Sequence, residues 1–386
     1  MNPLARHYSR FRVAERILLT GHSHQAWPDA AFEAQQRAWL DAAEHVDDKW
    51  TRAGERAAEV CEGFAGLLGD AAANIALGQN THELVTRWLS ALPLRERPRI
   101  VTTDGEFHSL RRQLDRLAET ELLAIVRVPA RPVDTLAERL GGAVGDRTTC
   151  AIVSSVLYET AEVVPHLGAV ARACAQVGAE LLIDAYHHLN VVPFDVSSMG
   201  LADAFVTGGG YKYCQLGEGN AFLRIPPGRR MRPILTGWFA EFAAREERSS
   251  GSVRYGTGAA AFAGATYDPT SHYRAAAVFR FHAQQGLTPE HLRDVSRRQV
   301  ARLKSGVEAL GIDERVLRIE PMPDERRGGF LALRMPRATE MAHALRARGV
   351  FVDARGDVLR IGPAPYLDEC QLDEGVAALG EVIRDL

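Results

Sequence analysis

ELLIDAYHHLNVVPFD (residues 180–195) and ADAFVTGGGYKYCQLGEGNAF (residues 202–222) decide the reading of this chain. The apolar run Glu180–Ile183 reads as a buried strand that delivers Asp184 at its C-terminal end. A second apolar run, Ala204–Val206, ends in Thr207 and three glycines. Lys212 follows between Tyr211 and Tyr213, 28 residues after Asp184. In an open α/β sheet, ligands bind outside the carboxyl ends of the strands. An acid and an amine thus reach one sheet edge. An aldehyde-bearing pyridine cofactor needs this pair: the amine condenses with the aldehyde, and the carboxylate keeps the ring nitrogen protonated so that the ring withdraws electrons. The three glycines are expected to let backbone approach the cofactor. Singly, Asp184 reads as a turn acid and Lys212 as a surface lysine; their order and the adjacent Tyr211 favour the cofactor.

Outward from this stretch the chain alternates. Short apolar runs at Ile75–Leu77, Arg99–Val101, Leu122–Val128 and Cys150–Val153 are separated by helical patterns at His82–Leu92, Phe107–Leu117, Asp134–Leu140 and Leu167–Val177. Asn220–Ile225 adds one more strand. Alternation of this kind predicts an α/β fold with a mostly parallel sheet. Residues 29–68 read as helix, broken around Asp47–Asp48. Residues 231–270 are loop-rich, and a helical region follows from Ser271 to Leu310. Strands at Gly329–Arg334, Val350–Val352 and Val358–Ile361, with helices at Thr339–Arg348 and from there to the C-terminus, form a smaller α+β unit. The expected division is an N-terminal segment 1–28 that contributes to the active site, a large α/β domain 29–285, and a small C-terminal domain 286–386.

The 386 residues are 46% hydrophobic and 25% charged, which excludes wholesale disorder and leaves ample material for a core. A net charge of −3 gives no electrostatic footprint for nucleic acid or an anionic membrane. No stretch approaches the ~20 apolar residues of a membrane span, and Met1–Arg16 lacks the apolar run of a signal peptide. The expectation is a soluble, cytoplasmic protein. The five cysteines, at 61, 150, 174, 214 and 370, show no CxxC pair, so neither a disulfide framework nor a zinc knuckle is indicated. His22, His24, His108, His187 and His188 lack zinc-protease spacing and read better as polar site or core residues, so no metal is expected. There is no GxGxxG opening a helix and no GxxxxGK[ST] loop, which disfavours nicotinamide and nucleotide-triphosphate chemistry.

The segment ADAFVTGGGYKYCQLGEGNAFL (202–223) resembles the lysine segment of kynureninases, within the class V, fold type I pyridoxal-phosphate enzymes. The resemblance covers most of the chain. GHSHQAWP (21–28) is similar to the family's Gly-Asn-Ser loop, DAYHHLNVVPFD (184–195) to its Asp-x-x-His segment, LTGWF (235–239) to its Gly-Trp segment and LRIGPAPY (359–366) to its Leu-Arg-Phe-Gly segment. It implies pyridoxal 5'-phosphate as cofactor, a small-molecule amino acid as substrate, and a homodimer with shared sites. The implied reaction is hydrolytic Cβ–Cγ cleavage of kynurenine or a related 3-acyl-alanine; a class V aminotransferase or another lyase is the alternative. A desulfurase fits less well, because Ser249–Ala265, where its thiol is expected, contains no cysteine.

The resemblance also implies roles. Lys212 binds the cofactor and shuttles the Cα proton, Asp184 pairs with the pyridine nitrogen, and His187 sits near the phenolic oxygen or the aspartate. Phe107, in GEFHS, stacks on the ring. Tyr211 bonds the phosphate, and Asn80 and Thr81, in LGQNTHEL, open a helix whose N–H groups suit a dianion. Thr266 reaches the phosphate of the neighbouring subunit. Ser23, Trp238 and Arg360 line the substrate side, with Arg360 taking the α-carboxylate. Plainer readings stand beside these: Phe107 as a core aromatic, Asn80 as an N-cap, His187 as a structural histidine, Trp238 packed beneath a loop, and Arg360 paired with Asp353 or Asp357. The chain departs from the family at His22 (for Asn), Leu110 (for an acid), Leu157-Tyr158-Glu159-Thr160-Ala161 (for Asn-Tyr-Arg-Thr-Gly) and Tyr267-Asp268 (for a Pro pair). These changes leave the cofactor scaffold intact and alter the substrate pocket.

Overall fold

A computed structural model describes residues 2–244 and 251–385; residues 245–250 of the loop-rich stretch lie outside the described residues. In chain order the elements are β1 (Ile17–Leu18), α1 (Asp29–His45), α2 (Lys49–Leu68), β2 (Ile75–Gly78), α3 (Thr81–Leu89), β3 (Arg99–Thr103), α4 (His108–Ala118), β4 (Ala124–Val128), α5 (Leu136–Ala143), β5 (Thr148–Ser154), α6 (Leu167–Val177), β6 (Glu180–Asp184), β7 (Phe205–Gly209) and β8 (Ala221–Arg224). They continue with α7 (Thr270–Gln284), α8 (Pro289–Ala309), β9 (Arg318–Ile319), β10 (Leu331–Arg334), α9 (Ala338–Ala347), β11 (Val350–Phe351), β12 (Asp353–Arg355), β13 (Val358–Ile361) and α10 (Glu369–Asp385).

The expected mostly parallel sheet is present. Seven strands lie in the order β2-β8-β7-β6-β5-β3-β4, and β8 alone runs against its neighbours. Its strands read as unbroken apolar runs because both faces are covered. In β6, Leu181 and Ile183 pack with Phe64 of α2 and Ala276 of α7, while Leu182 between them packs with Trp88 of α3 and Leu114 of α4. Register then fixes the sheet edge: Ser154 pairs with Asp184 and Asp184 with Thr207. The carboxyl ends of β5, β6 and β7 therefore present these three side chains in a row.

A second core joins the two ends of the chain. Tyr8, Leu19 and Ala26 pack with Leu303, Leu331, Leu359 and Leu379. β1 pairs in parallel with β11, and the strands on either side of β11 in the chain form a four-stranded antiparallel sheet, β12-β13-β10-β9. The expected strand 350–352 appears as β11, Val350–Phe351, which serves β1, and a further strand that was not expected, Asp353–Arg355, joins the small sheet. The helical region 271–310 breaks at Gly286, whose φ is 66°, and restarts with Thr288 capping the His291 N–H at 3.2 Å and Pro289 in the first turn. No helix among the described residues is long and apolar enough to cross a membrane.

Candidate active site

A cavity of about 420 Å³ opens over the carboxyl ends of β5, β6 and β7. Asn80, Thr81, Phe107, Asp184, His187, Tyr211 and Lys212 all line it. Lys212 is 5% exposed, and its Nζ lies 2.6 Å from His187 Nε2. Burial pulls the amine well below the ordinary lysine range, although Asp184 opposes that pull. Removal from water pushes Asp184 up, against a 2.9 Å hydrogen bond that its Oδ1 accepts from the Tyr186 N–H and the charge of Lys212. Burial, then the charge of Lys212, pushes His187 well down. His187 is therefore neutral near pH 7 and its Nε2 accepts from the lysine, while its buried Nδ1 has no hydrogen-bond partner.

The walls follow from local structure. Phe107 occupies the N-cap position of α4, not the core. Its ring centre lies 5.3 Å from Lys212 Nζ and 5.4 Å from the edge-on ring of Tyr158. Asn80 is an N-cap as well as a lining residue: its Oδ1 accepts from the Glu83 N–H at 2.9 Å. The first-turn N–H groups of α3 have no partner within the helix, and Thr81 and His82 line the cavity there. Tyr211 stacks on His24 with ring centres 4.9 Å apart. The three glycines do something other than expected. A Cβ on Gly208 would strike Phe222, on Gly209 Tyr186 and on Gly210 Leu216. They make room for the protein's own side chains, because β7 is packed on both faces up to its end.

Four expected substrate or cofactor residues are not in this cavity. Ser23 donates to the Thr20 carbonyl at 3.1 Å. Trp238, 49% exposed, donates to Thr266 Oγ1 at 3.1 Å, and both line a separate cavity of about 930 Å³ with Trp50 and Tyr267. Arg360, 2% exposed, is bound to Asp353 and donates to the Tyr158 carbonyl at 2.7 Å. Asp357 pairs instead with Arg334, at 2.8 Å. Arg360 is thus paired with Asp353, and only its Nε is without a partner. The histidines of the site do not gather as a metal-ligand set; among the described residues the one such group is Asp41, Glu44 and His45 on α1. Sequence reasoning missed Ser154 and Tyr186, which line the cavity, and the buried Glu106. An acid directly before Phe107 and a hydroxyl at a strand end were the available signals.

A buried amine beside an acid, an imidazole nitrogen left without a partner, an aromatic face and a helix N-terminus suit an aldehyde-bearing pyridine phosphate. The family model described as Kynureninase C-terminal domain matches residues 292–379. The kynureninase of Burkholderia pseudomallei (strain 1106a) is 28% identical over 391 residues, covering 94% of this chain and 88% of that protein. The uncharacterized aminotransferase YcbU of Bacillus subtilis (strain 168) is 24% identical over 336 residues, covering 85% and 84%. Among solved structures, a mutant of C-DES with glycine covalently linked to its PLP cofactor superposes with a TM-score of 0.85 at 16% identity, covering 98% of this chain and 99% of that one. That likeness establishes the fold as type I.

Proposed function

We propose that this chain, a kynureninase-like member of the class V, fold type I pyridoxal-phosphate-dependent enzymes, binds pyridoxal 5'-phosphate and hydrolyses the Cβ–Cγ bond of kynurenine or a related 3-acyl-alanine. The observation that carries the reading is Lys212: a buried amine, depressed by burial, between Asp184 and neutral His187 at the carboxyl ends of β6 and β7. The cofactor supplies an electron sink for a carbanion at the substrate Cα. Asp184 would hold the proton on its ring nitrogen. Lys212 would bind the cofactor and shuttle the Cα proton. His187 would sit near its phenolic oxygen or the aspartate, Phe107 would cover the ring, and Asn80, Thr81 and Tyr211 would hold the phosphate. Thr266 and Trp238, which do not line their own chain's cavity, serve the site of a second copy in a homodimer. Ser23 and Arg360 stand on the substrate side. The protein works in the cytoplasm on a small-molecule amino acid. The chain divides at 285/286, a division supported by the turn at Gly286.

A second reading, transamination or another lyase reaction, is favoured by one observation: Arg360 is tied to Asp353, and His22 stands beside that pair where the family has Asn. A screen of amino acids separates the two. Kynurenine should change the cofactor's absorbance and release alanine. If kynurenine does neither while another amino acid passes its amino group to a keto acid, the hydrolase reading fails and the transaminase reading stands.

A further inference from the structure

A second carboxyl group lies beneath the cavity. Glu106, 2% exposed, is the residue before Phe107. Its Oε1 accepts from Thr103 Oγ1 at 2.6 Å and from the Ser154 N–H at 3.2 Å, and Ser154 Oγ lies 2.6 Å from its Oε2. Thr103 ends β3 and Ser154 ends β5, so one side chain ties two strand ends together. Ser154 lines the cavity and pairs in register with Asp184. Where the family has an acid, three residues after Phe107, this chain has Leu110, packed in the apolar core with Leu84 and Leu114.

We propose that Glu106 is a positioning residue of the cofactor site, a second carboxyl group that holds Ser154 and Phe107 in place and sets the charge beside Asp184. The proposal rests on the pyridoxal-phosphate reading above. The charge of Asp184 acts on Glu106, and neighbouring carboxylates disfavour each other's ionisation. Burial first, with the charge of Asp184 added, raises Glu106 to about 7 against its three hydrogen bonds. Asp184 on β6 is the titratable group that acts on it; its partners on β3 and β5, Thr103 and Ser154, do not titrate. Protonated Glu106 leaves the charge of Asp184 alone at the site. As Glu106 ionises, negative charge grows there, and the ring-nitrogen proton is held more tightly.

Glu106→Gln and Glu106→Ala in the holoenzyme test this. Gln keeps the shape and the acceptor oxygen but cannot ionise. It should retain cofactor affinity within about threefold, and the cofactor's absorbance should lose a transition near neutral pH that the wild type shows. Stability gives a second readout. The folded group holds its proton more tightly than the unfolded one, so its contribution is full below the unfolded pKa and is lost as pH rises through about 7. The wild type's melting temperature should therefore fall relative to Glu106→Gln between about pH 5 and pH 8. Ala removes the tether and should weaken cofactor binding at least tenfold; if it does not fold, the Gln variant decides. An unchanged neutral transition in Glu106→Gln, or wild-type cofactor affinity in a folded Glu106→Ala, overturns the proposal alone. A wild-type protein that takes up no cofactor overturns the functional reading and the proposal with it.

Discussion

Asp353→Asn removes one charge and almost no volume, and the structure allows its cost to be worked out. The Asp353 carboxylate is 15% exposed and faces Arg360, which is 2% exposed, on one oxygen. Arg355 stands 3.0 Å from the other and is 43% exposed. His22 Nε2 lies 3.7 Å away but adds no charge near pH 7, because burial, then Arg360, pushes it down to about 3. Breaking a buried pair by removing one partner costs about 3–5 kcal/mol. The Arg355 contact is largely exposed and is worth about 0–1 kcal/mol. Asn keeps an oxygen that accepts one bond from Arg360, so the expected loss is about 2–4 kcal/mol. With a urea slope of about 2–3 kcal/mol/M, the unfolding midpoint should fall by about 1 M, read by circular dichroism at pH 7. The pH dependence has a definite sign. Burial pushes Asp353 up, but the neighbouring His22 and the charge of Arg360 outweigh it and hold the group well below the usual carboxylate range. Its contribution is therefore full above about pH 4 and is lost as pH falls through the folded value. The gap between wild type and variant should narrow in acid. A variant within about 0.5 kcal/mol of wild type at pH 7, or a gap that widens in acid, would refute this account. If stability holds and only affinity for the amino acid falls, the pair serves the substrate instead.

Lys212→Ala should abolish covalent attachment of the cofactor, and borohydride should then fix none to the protein; an adduct on another lysine would remove Lys212 from its role. Asp184→Asn should keep the cofactor bound but lose about 10²-fold or more in turnover, comparable to losing a positioned proton-transfer group; near-normal turnover would count against it. Light scattering should give a dimer, and Thr266→Ala should weaken cofactor binding although Thr266 lies outside its own chain's cavity. An active monomer at working concentration would refute the shared site.

The placing of Asp184 and Lys212 at one sheet edge was legible because it is local. Asp184 and Lys212 each follow a short apolar run covered on both faces, so the end of the run marks the sheet edge without knowledge of any partner. The helix break at Asp47–Asp48 was legible for the same reason; α1 stops at His45 and α2 starts at Lys49. Glu106 was not, since an acid in a strand-to-helix turn reads as solvated until β5 is placed beside it. The glycines misled because their function depends on Tyr186, Leu216 and Phe222 folding back onto β7. β1 is two residues long and is a strand only because β11 lies next to it.

Arg360 shows what strand register adds. Two acids, Asp353 and Asp357, stand close to it in sequence, and sequence alone offered both as partners. β12 and β13 form a hairpin in which Asp353 lies directly opposite Arg360, which brings their side chains together on one face of the sheet. Asp357 falls in the turn and goes to Arg334. The same long-range geometry explains His22. The bridge from Thr20 to Gly362 lays the N-terminal loop on the strand that carries Arg360. Gly362 has no Cβ where the imidazole must pass, and His22 packs against Phe330 with ring centres 4.6 Å apart. The family's Asn offers a donor and an acceptor at that place; His22 is buried with neither ring nitrogen hydrogen-bonded. His22 and Arg360 thus meet at one wall against Phe330, whose ring centre lies 6.1 Å from that of His187, so the wall adjoins the cavity that Lys212 and Asp184 line.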